Sequence, residues 1–115
     1  MNSFKFKEDP MRITFTARHF KPSANLKVHA EDKVAALNKY YDGILDVDII
    51  LDFVKQEQVA EIIAKVHNAK LTAIEKSEDM YKSIDLAVEK LERRIKKYKG
   101  KLRQHSKDRI ASEMG

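Results

Sequence analysis

The chain has 115 residues, of which 43% are hydrophobic, and its formal net charge at pH 7 is +5. This length suits a single domain, and the low content of glycine and proline is not typical of a disordered protein. The absence of cysteine excludes disulfides and thiolate metal sites, and the absence of an apolar run of about 18 residues excludes a membrane-spanning helix.

The first part of the chain predicts an extension, a strand and a helix. Residues 1–10 have no clear period and end in a proline, so we expect a flexible N-terminal extension. Apolar and polar side chains alternate over 11–18, which is typical of a half-buried strand. Ser23 is a suitable N-cap for the helix that follows, and a left-handed Gly43 is expected to close that helix. The apolar face of this helix is formed by Leu26, Ala30, Val34, Leu37 and Tyr41.

Three further strands and a long second helix are predicted from residue 47 onward. Apolar and polar residues alternate over 47–53, a polar turn covers 55–58, and β-branched residues are frequent over 59–67. The alternation resumes over 71–75, and a helix is predicted over 80–98. The resulting order, β-α-β-β-β-α, indicates an α+β fold with one four-stranded mixed sheet and two helices packed on one face.

The positive charge is concentrated near the C-terminus. Residues 80–103 contain nine Lys or Arg against three acids, a net charge of +6 in a chain whose total is +5. On a helical wheel the acids gather on one flank, while an apolar arc is formed by Met80, Ile84, Ala87, Val88, Leu91, Ile95 and Tyr98. The cations that cluster away from this arc are Lys82, Lys90, Arg93, Arg94, Lys97 and Lys101. A solvated helix face would also carry basic residues, but clustered like charges favour a polyanionic partner such as phosphate.

The helices, rather than the sheet, are expected to form the binding side. Lys27 is a basic residue of the first helix that extends the patch if both helices share a surface, and Arg18 and Lys21 are nearby in sequence. The open face of the sheet has no aromatic-rich run for stacking bases. It is also acidic, which repels phosphate, because it carries Asp46, Asp48 and Asp52.

No pattern in the chain predicts catalysis. The four histidines are scattered, and no phosphate-binding glycine loop is present. The strand aspartates are better explained by an exposed polar face than by a cation site. Ser23, Ser77 and Ser83 are interpreted as caps or surface residues, and Tyr81 is expected to seal the sheet against the second helix. We expect a cytoplasmic, non-catalytic protein without cofactor, metal, membrane contact or small-molecule substrate.

Three segments resemble a known family. They are Asp79-Met80-Tyr81 with Ile84-Asp85, Lys90 to Arg93, and Lys99 to His105. Together they resemble the ribosome hibernation promoting factor and ribosome-associated inhibitor family, once called sigma-54 modulation proteins. The resemblance covers about 11–105, so we expect a ribosome-binding domain over 11–103 and a flexible C-terminal tail over 104–115.

The resemblance implies binding to the small ribosomal subunit and its rRNA, at the mRNA channel and the tRNA sites, and a block of translation under stress or in stationary phase. By motif, Lys27, Lys90, Arg93 and Lys97 are the implied RNA contacts, whereas Lys82, Arg94 and Lys101 are added from the wheel. Two alternatives remain open: a general double-stranded or structured RNA-binding module, and a protein-interaction regulator that docks an acidic partner. The free protein is expected to be a monomer.

Overall fold

The computed structural model describes residues 11–114, and it describes side chains from Met11 to Leu102. The predicted N-terminal extension, residues 1–10, lies outside this range. The strands are β1 (Arg12–Arg18), β2 (Asp46–Val54), β3 (Glu57–Val66) and β4 (Ala69–Ser77). The helices are α1 (Ala24–Ala35), a short 3-10 helix (Ala36–Lys39) and α2 (Met80–Met114). The predicted order β-α-β-β-β-α is confirmed.

The strands form one mixed sheet in the order β1-β2-β3-β4. β1 pairs parallel to β2, with Ile13 beside Val47, because the helical crossover returns the chain to the same end of the sheet. β2–β3 and β3–β4 are antiparallel hairpins. β1 and β4 are therefore the two edges, which decides how far apart the basic side chains lie.

The β2–β3 hairpin is tighter than the sequence predicts. The turn contains only Lys55 and Gln56, with φ values of 50° and 69°, and β3 begins at Glu57. Left-handed backbone at both central positions matches the twist of the flanking strands, so the chain can continue pairing immediately. Glu57 and Gln58, which the sequence assigned to a polar turn, thus belong to β3.

α1 begins as predicted and ends differently. Ser23 caps it, because its hydroxyl accepts a hydrogen bond of 3.1 Å from the Leu26 amide. The prediction of a left-handed Gly43 as the helix end is wrong, since no glycine among the described residues has a positive φ. The helix instead tightens into the 3-10 turn, and Tyr40 donates to the Leu37 carbonyl. A Cβ at position 43 would overlap the Tyr41 ring, so close approach explains this glycine.

α2 buries the arc that the wheel predicts. The fully buried members are Ile84, Ala87, Leu91 and Ile95, with Met80 and Val88 nearly so and Tyr98 half-buried. The helix runs to Met114 rather than ending near residue 98. The domain limit at residue 103 and the flexibility of 104–115 stay predictions. α2 packs on β3 and β4, and its side meets α1.

Two side chains near the start of α2 differ from their predicted roles. Ser83 is fully buried, and its hydroxyl donates to the Gln58 carbonyl at 2.6 Å and lies 2.7 Å from the Ser77 hydroxyl. Its side chain faces β3, where a small polar residue can satisfy a strand carbonyl. Tyr81 is 40% exposed, so it does not seal the sheet against the helix, and its ring lies edge-on to His29 at 4.9 Å.

Candidate nucleic-acid interface

The flank of α2 that faces α1 is acidic, as predicted, and it is partly neutralised within the fold. Asp85 Oδ1 lies 2.8 Å from His29 Nε2 and 4.0 Å from Lys33 Nζ of α1. Glu92 pairs with Lys96 at 3.0 Å. A groove of about 250 Å³ runs between the helices and is lined by Lys33, Ala36, Leu37, Tyr40, Asp85, Val88, Glu89 and Glu92. This side of the helix is unsuited to phosphate.

The flank of α2 that faces the β4 edge is basic. A groove of about 470 Å³ lies there, and we call it the basic groove; it is lined by Lys70, Leu71, Arg94, Lys97, Tyr98 and Lys101. Its three α2 cations are exposed, whereas Leu71 and Tyr98 are half-buried. Among the described residues, no acidic side chain lines it. Three of the seven predicted site residues thus meet in one concave surface.

Lys70 lines the outer edge of the basic groove, but its side chain points to the other face of the sheet. It lies opposite Lys65 in the register, and paired residues of neighbouring antiparallel strands share a face. Lys65 reaches Asp48 on the open face, and the charge of Lys70 also lowers the pKa of Asp48. The next residue, Leu71, packs against the core instead. The cations that converge in the groove are therefore the three from α2.

The remaining predicted RNA contacts on α2 divide into exposed cations and one paired cation. Lys82 and Arg93 are exposed on the outer surface and make no salt bridge with another described residue. Lys90 is 34% exposed, and its Nζ lies 3.5 Å from Glu75 Oε2 of β4. The helix acids do lie on the opposite flank, but β4 contributes an acid here that the helix sequence does not contain.

Lys27 is separated from the basic groove. Its ammonium lies 5.9 Å from the centre of the Phe15 ring on β1, a cation–π distance. β1 and β4 are opposite edges of the sheet, and the acidic groove between the helices lies between them. The structure therefore does not join Lys27 to the α2 cations in one continuous patch.

The open face of the sheet carries the predicted aspartates, but each has a partner. Asp46 Oδ1 accepts from Arg12 Nε at 2.9 Å. Asp48 Oδ1 accepts from the Thr14 hydroxyl at 2.7 Å, and its other oxygen lies 3.3 Å from Lys65 Nζ. The Thr14 hydrogen bond first, and then Lys65, lowers the pKa of Asp48 despite partial burial. Asp52 is likewise paired, with His19 Nδ1 at 2.7 Å.

These pairings make the open face a cross-strand ladder that ties the edge strand β1 to β2. The hydrogen bond from His19 is the largest cause that lowers the pKa of Asp52. No group of three or more metal-ligating side chains occurs among the described residues. The described helices include none that is long and apolar enough to cross a membrane. Fold and surface together are those of a small α+β domain with one cationic edge.

The family of this domain is shown by comparison with known proteins. The family model described as "Sigma 54 modulation protein / S30EA ribosomal protein" matches residues 13–103, and the chain belongs to this family. The ribosome hibernation promoting factor of Escherichia coli is 30% identical over 95 residues, which cover 83% of this chain and 100% of that relative. The factor of the same name from Pseudomonas putida is 29% identical over 91 residues, covering 79% and 89% of the two chains.

A solved structure gives the same result for the fold. A ribosomal subunit interface protein from Coxiella burnetii superposes with a TM-score of 0.74 at 30% sequence identity. The superposition covers 78% of this chain and 99% of the other. The resemblance inferred from sequence motifs is thereby confirmed at the level of family and fold.

Proposed function

We propose that this protein is a cytoplasmic ribosome hibernation factor that binds the small ribosomal subunit near the decoding region and blocks translation under stress or in stationary phase. The observation that carries the proposal is the basic groove, where Arg94, Lys97 and Lys101 converge without an acidic lining residue in the described part of the chain. Membership of the S30EA ribosomal protein family supports it. So do the names of relatives, ribosome hibernation promoting factor and ribosomal subunit interface protein.

The proposed rRNA contacts are ranked by how far each cation is exposed and unpaired with other described residues. Arg94, Lys97 and Lys101 of the basic groove contribute most, because converging unneutralised cations release the most counterions when phosphate binds. Lys82 and Arg93 extend the contact on the exposed outer surface of α2. Lys90 contributes less until it leaves Glu75, and Lys27 reaches a second, separate stretch of rRNA from the β1 edge.

The proposed mechanism is steric occlusion and breaks no bond. α2 is anchored by fully buried residues such as Leu91 and Ile95, so the basic groove lies on a rigid body that needs little ordering on binding. Phosphate contacts position such a body without reading sequence. The sheet and α1 then occupy the space that mRNA and tRNA require.

Charge reversal tests the proposal. Lys97→Glu removes a groove cation, whereas Lys55→Glu makes the same change at an exposed turn residue at the other end of the sheet. We expect Lys97→Glu to abolish co-sedimentation with purified small subunits and to relieve inhibition of cell-free translation, while Lys55→Glu behaves like the parent. Thermal unfolding of both should match the parent, because both side chains are exposed. Equal retention of both variants on the subunit would contradict the proposal.

Competition separates the ribosomal target from the two alternatives. Phosphates of any structured RNA suit a cationic groove, so a general RNA-binding module would be displaced from small subunits by a modest excess of free duplex RNA. We expect no such displacement. In a pull-down, a regulator that docks an acidic protein would retain its partner after nuclease treatment. We expect nuclease to release the ribosomal components that are captured with this protein. The free protein should sediment as a monomer.

A further inference from the structure

The outer edge of β1 is open in the described part of the fold. β1 pairs with β2 on one side, and no described strand lies on its other side. The outward N–H and C=O groups of an edge strand are free to pair with another extended segment, and proteins commonly protect such an edge by covering it. β1 therefore offers a place where a further strand can pair.

The core-facing side chains of β1 are also less covered than those of the neighbouring strand. Ile13 and Phe15 pack against the core but are only half-buried. Their partners on β2, Val47 and Ile49, are fully buried. The difference arises because β2 has a strand on each side, whereas β1 has a described strand on one side only. Apolar side chains placed beside β1 would remove this remaining surface from water.

The residues that precede β1 have the pattern of a strand and a turn. Phe4 to Lys7 alternate between aromatic and basic side chains, which is typical of a half-buried strand. Asp9-Pro10 follows, and Asp before Pro is a common start of a type I turn. A reversal of the chain over 8–11 would bring residues 4–7 antiparallel to the open edge of β1.

We propose that residues 4–7 pair with the outer edge of β1 as a further antiparallel strand, in place of the flexible extension expected from the sequence. A turn over 8–11 sets the register, which puts Phe6 beside Ile13 and Phe4 beside Phe15. Both aromatic rings then cover the half-buried side of β1, and cross-strand aromatic pairs stabilise a sheet. This contact within the chain is independent of the ribosomal target.

The charges fit the same register. Lys5 and Lys7 lie on the open face, which carries Asp46 and Asp48 on β2. Lys7 falls beside Arg12, but Arg12 Nε is already 2.9 Å from Asp46 Oδ1. A shift of one residue would turn both lysines toward the core and both aromatic rings toward water, so the alternation permits only one face.

Tryptophan emission tests which face each residue occupies. The chain contains no tryptophan, so Phe4→Trp and the matched variant Lys5→Trp each report on a single position. We expect Phe4→Trp to emit at shorter wavelength and to be quenched less by acrylamide than Lys5→Trp, because neighbouring residues of a strand point to opposite faces. Equal emission and quenching in the two variants would overturn the inference.

A second substitution tests where the segment docks. Ile13→Thr, added to Phe4→Trp, should shift the emission to longer wavelength. Ile74→Thr is the matched control, because Ile74 is 50% exposed on the open face of β4. A shift with Ile74→Thr alone would put the segment on the open face and overturn the pairing with β1. An emission that shifts to shorter wavelength as the protein concentration rises would mean pairing with a second copy, which also contradicts the proposal.

Hydrogen exchange of the full chain decides the matter if Ile13→Thr does not fold. Phe4→Ser combined with Phe6→Ser should speed exchange of the outward amides of β1 at least about tenfold. The matched pair, Lys5→Ser with Lys7→Ser, should change this exchange little. Amides of the central strand β3 should exchange as in the parent in both, which verifies the fold. Equal exchange of β1 in the two double variants would contradict an added strand.

Discussion

The two flanks of α2 carry opposite charge, and they differ in how far other residues of the fold neutralise that charge. On the α1 side, Asp85 meets His29 and Lys33, and Glu92 meets Lys96. On the β4 side, the basic groove gathers three cations of α2, and no described acid lines it. The cations of the basic groove are not neutralised within the described part of the fold, so they are the ones available to a partner.

The buried arc between the flanks holds both in place, and its loss has the largest expected effect. Leu91 is fully buried, whereas Leu86 is only half-buried on the basic side. We expect Leu91→Ala to lower the free energy of unfolding by about 2–5 kcal/mol and Leu86→Ala to lower it much less. Urea denaturation of the two variants measures the difference. Equal losses would mean that the helix is rotated about its axis relative to the sheet.

Opposite charge changes on the two flanks test whether location matters more than net charge. Arg94→Glu alters the basic groove, and we expect it to weaken binding to small subunits by at least about tenfold. Glu89→Lys makes the chain more basic on the α1 side, and we expect less than about a twofold change. Fluorescence titration of both variants compares them. A large gain for Glu89→Lys would indicate binding through total charge alone.

Lys90 lies between these extremes, because it is basic but already paired with Glu75. Glu75→Gln removes the acid and leaves Lys90 free for phosphate. Since a partly exposed ion pair is worth at most about 1 kcal/mol, we expect RNA affinity to rise by at most about fivefold. Glu57→Gln, which frees Lys76 far from the groove, is the matched control and should leave affinity unchanged. A loss of RNA affinity in Glu75→Gln would contradict this, because it would show that the Lys90–Glu75 pair favours RNA binding instead of competing with phosphate for Lys90.

The neutralised open face of the sheet gives the smallest expected effect, on stability alone. The hydrogen bond from Thr14 lowers the pKa of Asp48, so this carboxylate stabilises the fold above the ordinary Asp pKa of about 3.9. That stability is lost as the pH falls through the lower folded value. Thr14→Val removes the hydrogen bond, and we expect its stability deficit at pH 7 to shrink near pH 3. A deficit independent of pH would point to packing instead.

Periodicity was sufficient to predict the elements and the buried arc, because side chains repeat every two residues in a strand and every 3.6 in a helix. Leu91 and Ile95 are buried for this reason. Features that depend on contacts between elements were not predictable. Glu75 reaches Lys90 only through the packing of α2 on β4, and Ser83 finds the Gln58 carbonyl only because the helix lies over β3.

The candidate site likewise combines residues that periodicity predicts with residues whose position depends on contacts between elements. Arg94, Lys97 and Lys101 follow from a helical wheel, since they share one side of a single helix. Leu71 and Tyr98 join them through packing, because the edge position of β4 brings its first residues beside the C-terminal half of α2. Lys27 does not join them, because β1 lies at the opposite edge of the sheet and its Phe15 ring contacts the Lys27 ammonium there.

The most direct test of the basic groove is the salt dependence of binding to purified small subunits at fixed magnesium. If groove cations contact phosphates, the parent affinity falls steeply with salt. Lys97→Ala should then reduce the log–log slope by somewhat under one unit, about 0.7 to 0.9, while Lys55→Ala leaves it unchanged. A flat salt response in the parent, or the same slope for Lys97→Ala and the parent, would contradict a phosphate contact through this groove.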